Sequence, residues 1–185
     1  MKEIKIAIVK ALKNIDRDLS RRIFSRVLEI CFSENERPKK RECRDDGKPI
    51  FADRKDIKFS ISHSENWYIA AFCKDAEIGI DIEVVRPIKV KRERIAVRFF
   101  DHTEQEALKI NPKFFLQIWT KKEAIVKLNG KGIGGLKSTY EDSKKLHFED
   151  ISDKITNLCS AKLVGTVCCE EEFFCSFVGM EEFNG

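Results

Sequence analysis

The sequence predicts an α+β protein, because apolar residues recur at helix spacing and at strand spacing in both halves of the chain and no internal repeat is evident. Composition agrees with a folded globular chain: of 185 residues, 42% are hydrophobic, 36% charged and 10% aromatic, and no low-complexity tract interrupts them. A chain of this length can bury one substantial core or two smaller ones in contact.

The opening MKEIKIAIVK lacks the long apolar stretch of a signal peptide, and no run approaches the roughly 18 apolar residues of a membrane span. The expectation is a cytoplasmic protein with no membrane partner. Residues 19–32 place Leu19, Ile23, Phe24, Val27, Leu28, Cys31 and Phe32 on one stripe, which predicts an amphipathic helix. The polar stretch that follows, with Pro38, Gly47 and Pro49, reads as a charged loop. Two strands are expected at 57–64 and 67–73, joined by a tight Glu65-Asn66 turn. A third, at 78–85, puts Ile78, Ile80, Ile82 and Val84 on one face and Gly79, Asp81, Glu83 and Val85 on the other, and Arg86-Pro87 ends it.

Residues 91–100 read as helix, and Thr103 with Glu106 has the spacing of a capping box. Asn111-Pro112 supplies an N-cap and first-turn proline for a longer helix to about Leu128, stopped by Asn129-Gly130. Two β-rich runs, at 160–169 and 172–179, suggest a hairpin. The seven cysteines form no C-x-x-C pair and read as reduced thiols, with neither zinc nor a disulfide framework expected. Adjacent Cys168 and Cys169 would point to opposite faces of a strand.

Net charge is +4, but residues 86–137 carry 13 Lys/Arg against 5 Asp/Glu while 138–185 carry 4 against 10. A basic middle segment suits an anionic partner, whether nucleic acid, phosphorylated cofactor or acidic protein.

Four short constellations bear on chemistry. Asp81 and Glu83 share a strand face, where two carboxylates at close approach repel by about 1 kcal/mol in water and about 4 kcal/mol at intermediate dielectric. They are either solvated acids on an edge strand or an oxygen-rich site for magnesium. Trp119, Glu123 and Lys127 recur every fourth residue, so the last two are either an ordinary helix ion pair or an extension of that platform. Ser60, Ser62 and Ser64 share one parity, with His63 at the strand's end, and Asp46-Gly47-Lys48-Pro49 forms a turn that can hold Lys48 near an anion.

In order, GKPIF, FSISHS, GIDIE, RFFDHTEQE and WTKKEAIVKLNGKGI closely resemble the 4'-phosphopantetheinyl transferase superfamily, over about residues 18–140. The resemblance is to the longer, surfactin-synthetase-type members, and it implies two similar α/β halves related by a pseudo-twofold, 1–77 and 78–185, with the active site between them. It implies Asp81, Glu83 and Glu123 as magnesium ligands, with coenzyme A completing the shell. It also implies that Lys48, His63, Lys122 and, more loosely, Arg22 contact coenzyme A, that Lys127 stands beside the diphosphate, and that Glu123 or Lys127 accepts the proton of the attacking serine. The implied partner is an acidic acyl or peptidyl carrier protein, the implied state a monomer. The rival readings are a magnesium-dependent nuclease, whose usual acid-x-lysine strand element is absent because Val85 follows Glu83, and a non-catalytic nucleic-acid-binding module, whose phosphates clustered carboxylates would repel.

Overall fold

The computed structural model describes residues 1–86 and 91–184. It is a mixed α+β structure in which two sheets pack face to face, each with a helix on its outer side. Among the described residues no helix is long and apolar enough to cross a membrane.

The first strand, β1 (Lys2–Ala11), is not among the elements that sequence periodicity predicts, yet it is central to the larger sheet. Its even positions Ile4, Ile6 and Ile8 face the second sheet, while Ala7, Val9 and Ala11 face a helix. With both faces buried, alternation of polar and apolar residues is suppressed and the strand signal fades. That helix, α1 (Arg17–Cys31), buries Leu19, Ile23, Phe24, Val27 and Cys31, as its periodicity predicts, and begins two residues early because Asp16 caps it by accepting the Leu19 N–H at 2.8 Å. The charged loop contains only a small hairpin, β2 (Arg41–Cys43) with β3 (Pro49–Phe51).

Strands β4 (Ile57–Ser64) and β5 (Trp67–Lys74) form the expected antiparallel hairpin, with Glu65 at φ 55° in the turn. β6 (Ile78–Val84) follows as expected; Pro87, anticipated as its terminator, lies outside the described residues. Then come α2 (Lys91–Phe99), α3 (His102–Ile110), α4 (Phe114–Asn129), a 3-10 turn at Ile133–Lys137, α5 (Thr139–Ser143), β7 (His147–Asp150), α6 (Ser152–Cys159), β8 (Leu163–Cys169) and β9 (Phe173–Phe183).

Two further helix starts differ from expectation. The capping box is Asp101 with Glu104, not Thr103 with Glu106: Asp101 accepts the Glu104 N–H and Glu104 accepts the Asp101 N–H, each at 2.8 Å. Asn111 does not begin α4, because its N–H already closes α3 on the Ala107 carbonyl at 2.9 Å, and α4 starts at Phe114. Gly130 ends α4 in the left-handed region at φ 72°, as the Asn-Gly pair predicts.

The expected hairpin between the last two runs does not form. β8 is flanked on its two edges by β6 and β7, so it has no free edge for β9. β9 instead crosses to the other sheet and pairs parallel with β1, giving the order β4-β5-β1-β9. The boundary expected at residue 77 is therefore crossed by the chain's last strand. Cys168 and Cys169 do face opposite sides, the first toward α4 and the second into the inter-sheet core.

α4 packs closely on β6. A Cβ at Gly79 would stand 1.9 Å from the Ala124 carbonyl oxygen, so the helix backbone rests directly on the strand at a place only glycine permits. Gly79→Ala should lower stability by about 1–3 kcal/mol, seen as a reduced midpoint in urea unfolding with an unchanged m-value. A wild-type midpoint would show that α4 can lift without cost.

Candidate functional site

β6 has one edge paired with β8, and its other edge meets β4 side chains in place of a strand backbone. The hydroxyl oxygens of Ser60, Ser62 and Ser64 accept the N–H groups of Ile80, Ile82 and Val84 at 3.1, 3.4 and 3.1 Å. All three serines are buried. Their shared parity is legible in the sequence, but what it does, replacing a hydrogen-bonded strand at a sheet junction, depends on the three-dimensional neighbour.

On β6 itself the alternation predicts the two faces correctly. Ile78, Ile80 and Ile82 enter the inter-sheet core, while Asp81 and Glu83 share the other face with Gly79, over which α4 lies. Ser62 Oγ donates to Asp81 Oδ1 at 2.6 Å and Ser64 Oγ donates to Glu83 Oε2 at 2.8 Å. From α4, Lys127 Nζ reaches Asp81 Oδ1 at 2.6 Å and the Ile80 carbonyl at 3.2 Å. Asp81 is 5% exposed, and its second oxygen, Oδ2, is buried without a hydrogen-bond partner. Such an orphan is costly unless something else satisfies it.

Glu123 completes the group. Burial pushes its carboxyl above the ordinary range and the Asp81 charge pushes it further, with a smaller push from Glu83, against partial relief from Lys127. Glu83 is raised as well, first by burial and then by Asp81, against the hydrogen bond from Ser64. Three carboxylates thus share one region with one lysine inside it. Among the described residues no three His, Cys, Asp or Glu side chains form a ready-made metal cage. The donors are nonetheless all oxygen and one is unpartnered, which suits a hard divalent cation that takes one or two carboxylates and completes its shell with water and substrate oxygens. A cavity of about 310 Å³ opens beside Glu123 and Lys127, lined also by Lys48, Phe59, Ile61 and Ile133 among others.

The remaining candidates are placed less simply. His63 projects from the opposite face of β4 to the serines, exposed, its ring 6.5 Å from that of Tyr68; desolvation, then the Lys127 charge, hold its imidazole below the ordinary range. Lys48 lines the cavity, but its ammonium is buried, bonded to the Leu128 carbonyl at 2.6 Å and paired with Glu77. It closes the C-terminal end of α4, where a cation meets unsatisfied carbonyls. Lys122, expected to contact coenzyme A, has its buried ammonium held by Glu104 Oε2 at 2.9 Å, Thr139 Oγ1 at 2.8 Å and the Leu136 carbonyl at 3.4 Å, tying α4 to α3, the 3-10 turn and the start of α5. Arg22 is exposed on α1 with Asp18 at 3.9 Å and is not part of the carboxylate group. Trp119, on the same helical row as Glu123, stacks on Phe115 at 6.3 Å and belongs to the small core beneath α2 and α3.

A strand bearing two acids, a helix laid over it bearing a third acid and a lysine, and a cavity alongside define a candidate phosphoryl-transfer site. The family model for the 4'-phosphopantetheinyl transferase superfamily matches residues 77–176, more than half of the chain, and the chain belongs to that superfamily. Among curated relatives, 4'-phosphopantetheinyl transferase psf-1 of Bacillus pumilus is 40% identical over 103 residues, 52% of this chain and 42% of that protein. 4'-Phosphopantetheinyl transferase Sfp of Bacillus subtilis (strain 168) is 42% identical over 92 residues, 47% of this chain and 39% of the relative. AcpT of Escherichia coli K12 is 32% identical over 122 residues, 62% of each. The aligned stretch therefore spans about two fifths of the first two relatives.

The raised carboxyls make a stability prediction. A folded-state pKa above the unfolded value favours folding below the unfolded value and loses that contribution as pH rises toward the folded one. Glu123→Gln, which cannot ionise, should therefore raise the thermal midpoint in metal-free buffer by about 2–4 °C near pH 7.5, the effect of about 1 kcal/mol in a chain this size. The gain should vanish near about pH 3, more than a unit below the unfolded value, where glutamate is protonated in both states. Midpoints measured across pH check this; a pH-independent gain would mean that the cost of ionising Glu123 in its buried place is not its source.

Proposed function

We propose that this protein transfers the 4'-phosphopantetheine moiety of coenzyme A to a serine of an apo acyl or peptidyl carrier protein, with magnesium, releasing 3',5'-ADP. The observation that carries the reading is the unpartnered Asp81 Oδ2 among three carboxylates, beside a cavity, in a chain of this superfamily. Asp81, Glu83 and Glu123 hold the cation. Bound magnesium supplies Lewis acidity to the diphosphate oxygens and offsets charge on the leaving group.

The carrier serine oxygen bonds to the β-phosphorus of coenzyme A as the bridging P–O bond to 3',5'-ADP breaks. The proton of the serine hydroxyl must leave, and Glu123, the carboxylate that lines the cavity, is its acceptor. Lys127, already on Asp81 Oδ1, keeps a fixed positive charge at the site where negative charge grows. The cavity receives coenzyme A, with Lys48 in its wall and His63 near its nucleotide end as an expectation from the family pattern. We place the activity in the cytoplasm, in a monomer whose basic stretch 86–137 meets the acidic surface of the carrier. Superfamily membership favours this reading over a magnesium nuclease or a nucleic-acid-binding module.

Intact-mass spectrometry of apo acyl and apo peptidyl carrier proteins incubated with the protein, coenzyme A and magnesium should show a phosphopantetheine-sized gain on at least one. Asp81→Ala should reduce its rate more than about 100-fold, beyond the loss typical of a residue that only orients a ligand, and chelation should abolish it. No gain on any carrier by a folded protein that binds coenzyme A would overturn the reading. Glu123→Gln should lower kcat by about 100-fold or more while the Kd for coenzyme A stays within a few fold; parallel losses in both would leave Glu123 a ligand and not a base.

A further inference from the structure

We propose that Ser62 and Ser64 are positioning residues that aim the carboxylates of Asp81 and Glu83 at the cation, an inference that rests on the magnesium reading of the site. A serine hydroxyl is ordinarily a free rotor with one proton to donate and two lone pairs to accept with. Here the rotor is held. Ser62 Oγ accepts the Ile82 N–H at 3.4 Å and Ser64 Oγ accepts the Val84 N–H at 3.1 Å, which leaves each proton to be donated elsewhere. The protons go to Asp81 Oδ1 at 2.6 Å and Glu83 Oε2 at 2.8 Å. One oxygen of each carboxylate is thereby fixed by a neutral donor. For Asp81 the result is visible: Oδ1 carries both Ser62 and Lys127, and the buried Oδ2 has no partner in the protein.

The arrangement has a rule. Each serine accepts the N–H of the residue twenty positions on and donates to the side chain nineteen positions on, for 62 with 82 and 81 and for 64 with 84 and 83. Ser60 obeys the first half, accepting the Ile80 N–H at 3.1 Å, but nineteen positions on stands Gly79, which offers no side chain. Three buried serines therefore fasten the two sheets in the same way, and two of them also touch a carboxylate. A neutral hydroxyl orients an acid without cancelling its charge, whereas a second lysine there would compete with the cation.

Ser60 makes the two roles separable. Ser60→Ala, Ser62→Ala and Ser64→Ala each remove the hydroxyl partner of one β6 N–H, so all three should lower the thermal midpoint by several degrees. Mn2+ alone, titrated against each folded variant by electron paramagnetic resonance, reads the other role. Ser62→Ala and Ser64→Ala should weaken Mn2+ binding by about 10–100-fold, while Ser60→Ala stays within about twofold of the unsubstituted protein and Ser62→Thr, which keeps the hydroxyl, recovers most of the affinity. If Ser62→Ala is too unstable to titrate, Ser64→Ala decides alone. Mn2+ binding that is lost in Asp81→Ala but equal in all three serine variants would overturn the positioning role and leave the metal reading standing. No Mn2+ binding by the unsubstituted protein would overturn both.

Discussion

The contact of α4 with β6 at Gly79 sets the distance from which everything at the site is measured. Because the Ala124 carbonyl occupies the place of a side chain, the helix is close enough for Lys127 to reach Asp81 and for Glu123 to feel its charge. Spacing along the two elements assists: two strand residues advance about 6.6 Å and four helix residues about 6 Å, so an i, i+2 pair on one can face an i, i+4 pair on the other. A larger residue at position 79 would move the helix outward and stretch these contacts together.

The charge balance explains the choice of neighbours. Three carboxylates with one lysine repel in a partly buried place, and the strain appears as two glutamates that hold protons more tightly than usual. A fully neutralised cluster would be more stable and would offer a cation little. The cationic side chains next to the site are directed elsewhere: Lys48 to Glu77 and the end of α4, Lys122 to Glu104 and Thr139. They brace the helix that carries Glu123 and Lys127, while Asp81 and Glu83 take hydroxyl partners from β4 and Asp81 takes Lys127 besides.

How much of the fold is legible in the sequence depends on what its patterns encode. α1 is legible because its single buried face imposes a helical period, and β6 because apolar and polar residues alternate along it even though both of its faces are covered, so the face assignment of Asp81 and Glu83 comes with it. β1 escapes because both of its buried faces carry aliphatic side chains, so its residues do not alternate, and the pairing of β9 because strand propensity does not name a partner. Lys48 and Lys122 show a different limit. A motif fixes where an ammonium begins, but the atoms that end up around it come from segments more than ten residues away, Leu128 and Glu77 for one and Thr139 and Glu104 for the other.

The route of the chain ties the site to the whole fold. Asp81 and Glu83 stand on β6 of the three-stranded sheet, their serine partners on β4 of the larger one, and the larger sheet is completed by β9, which arrives from the far end of the sequence to lie beside β1. Neither sheet can assemble the group alone. The hydroxyls that fasten one edge of β6 have no backbone alternative, and the isoleucines behind them fill the core shared by both sheets. Local opening at this junction would therefore expose unpaired β6 N–H groups and disperse the carboxylates in the same event, so the geometry for chemistry exists only while the two sheets are closed on one another.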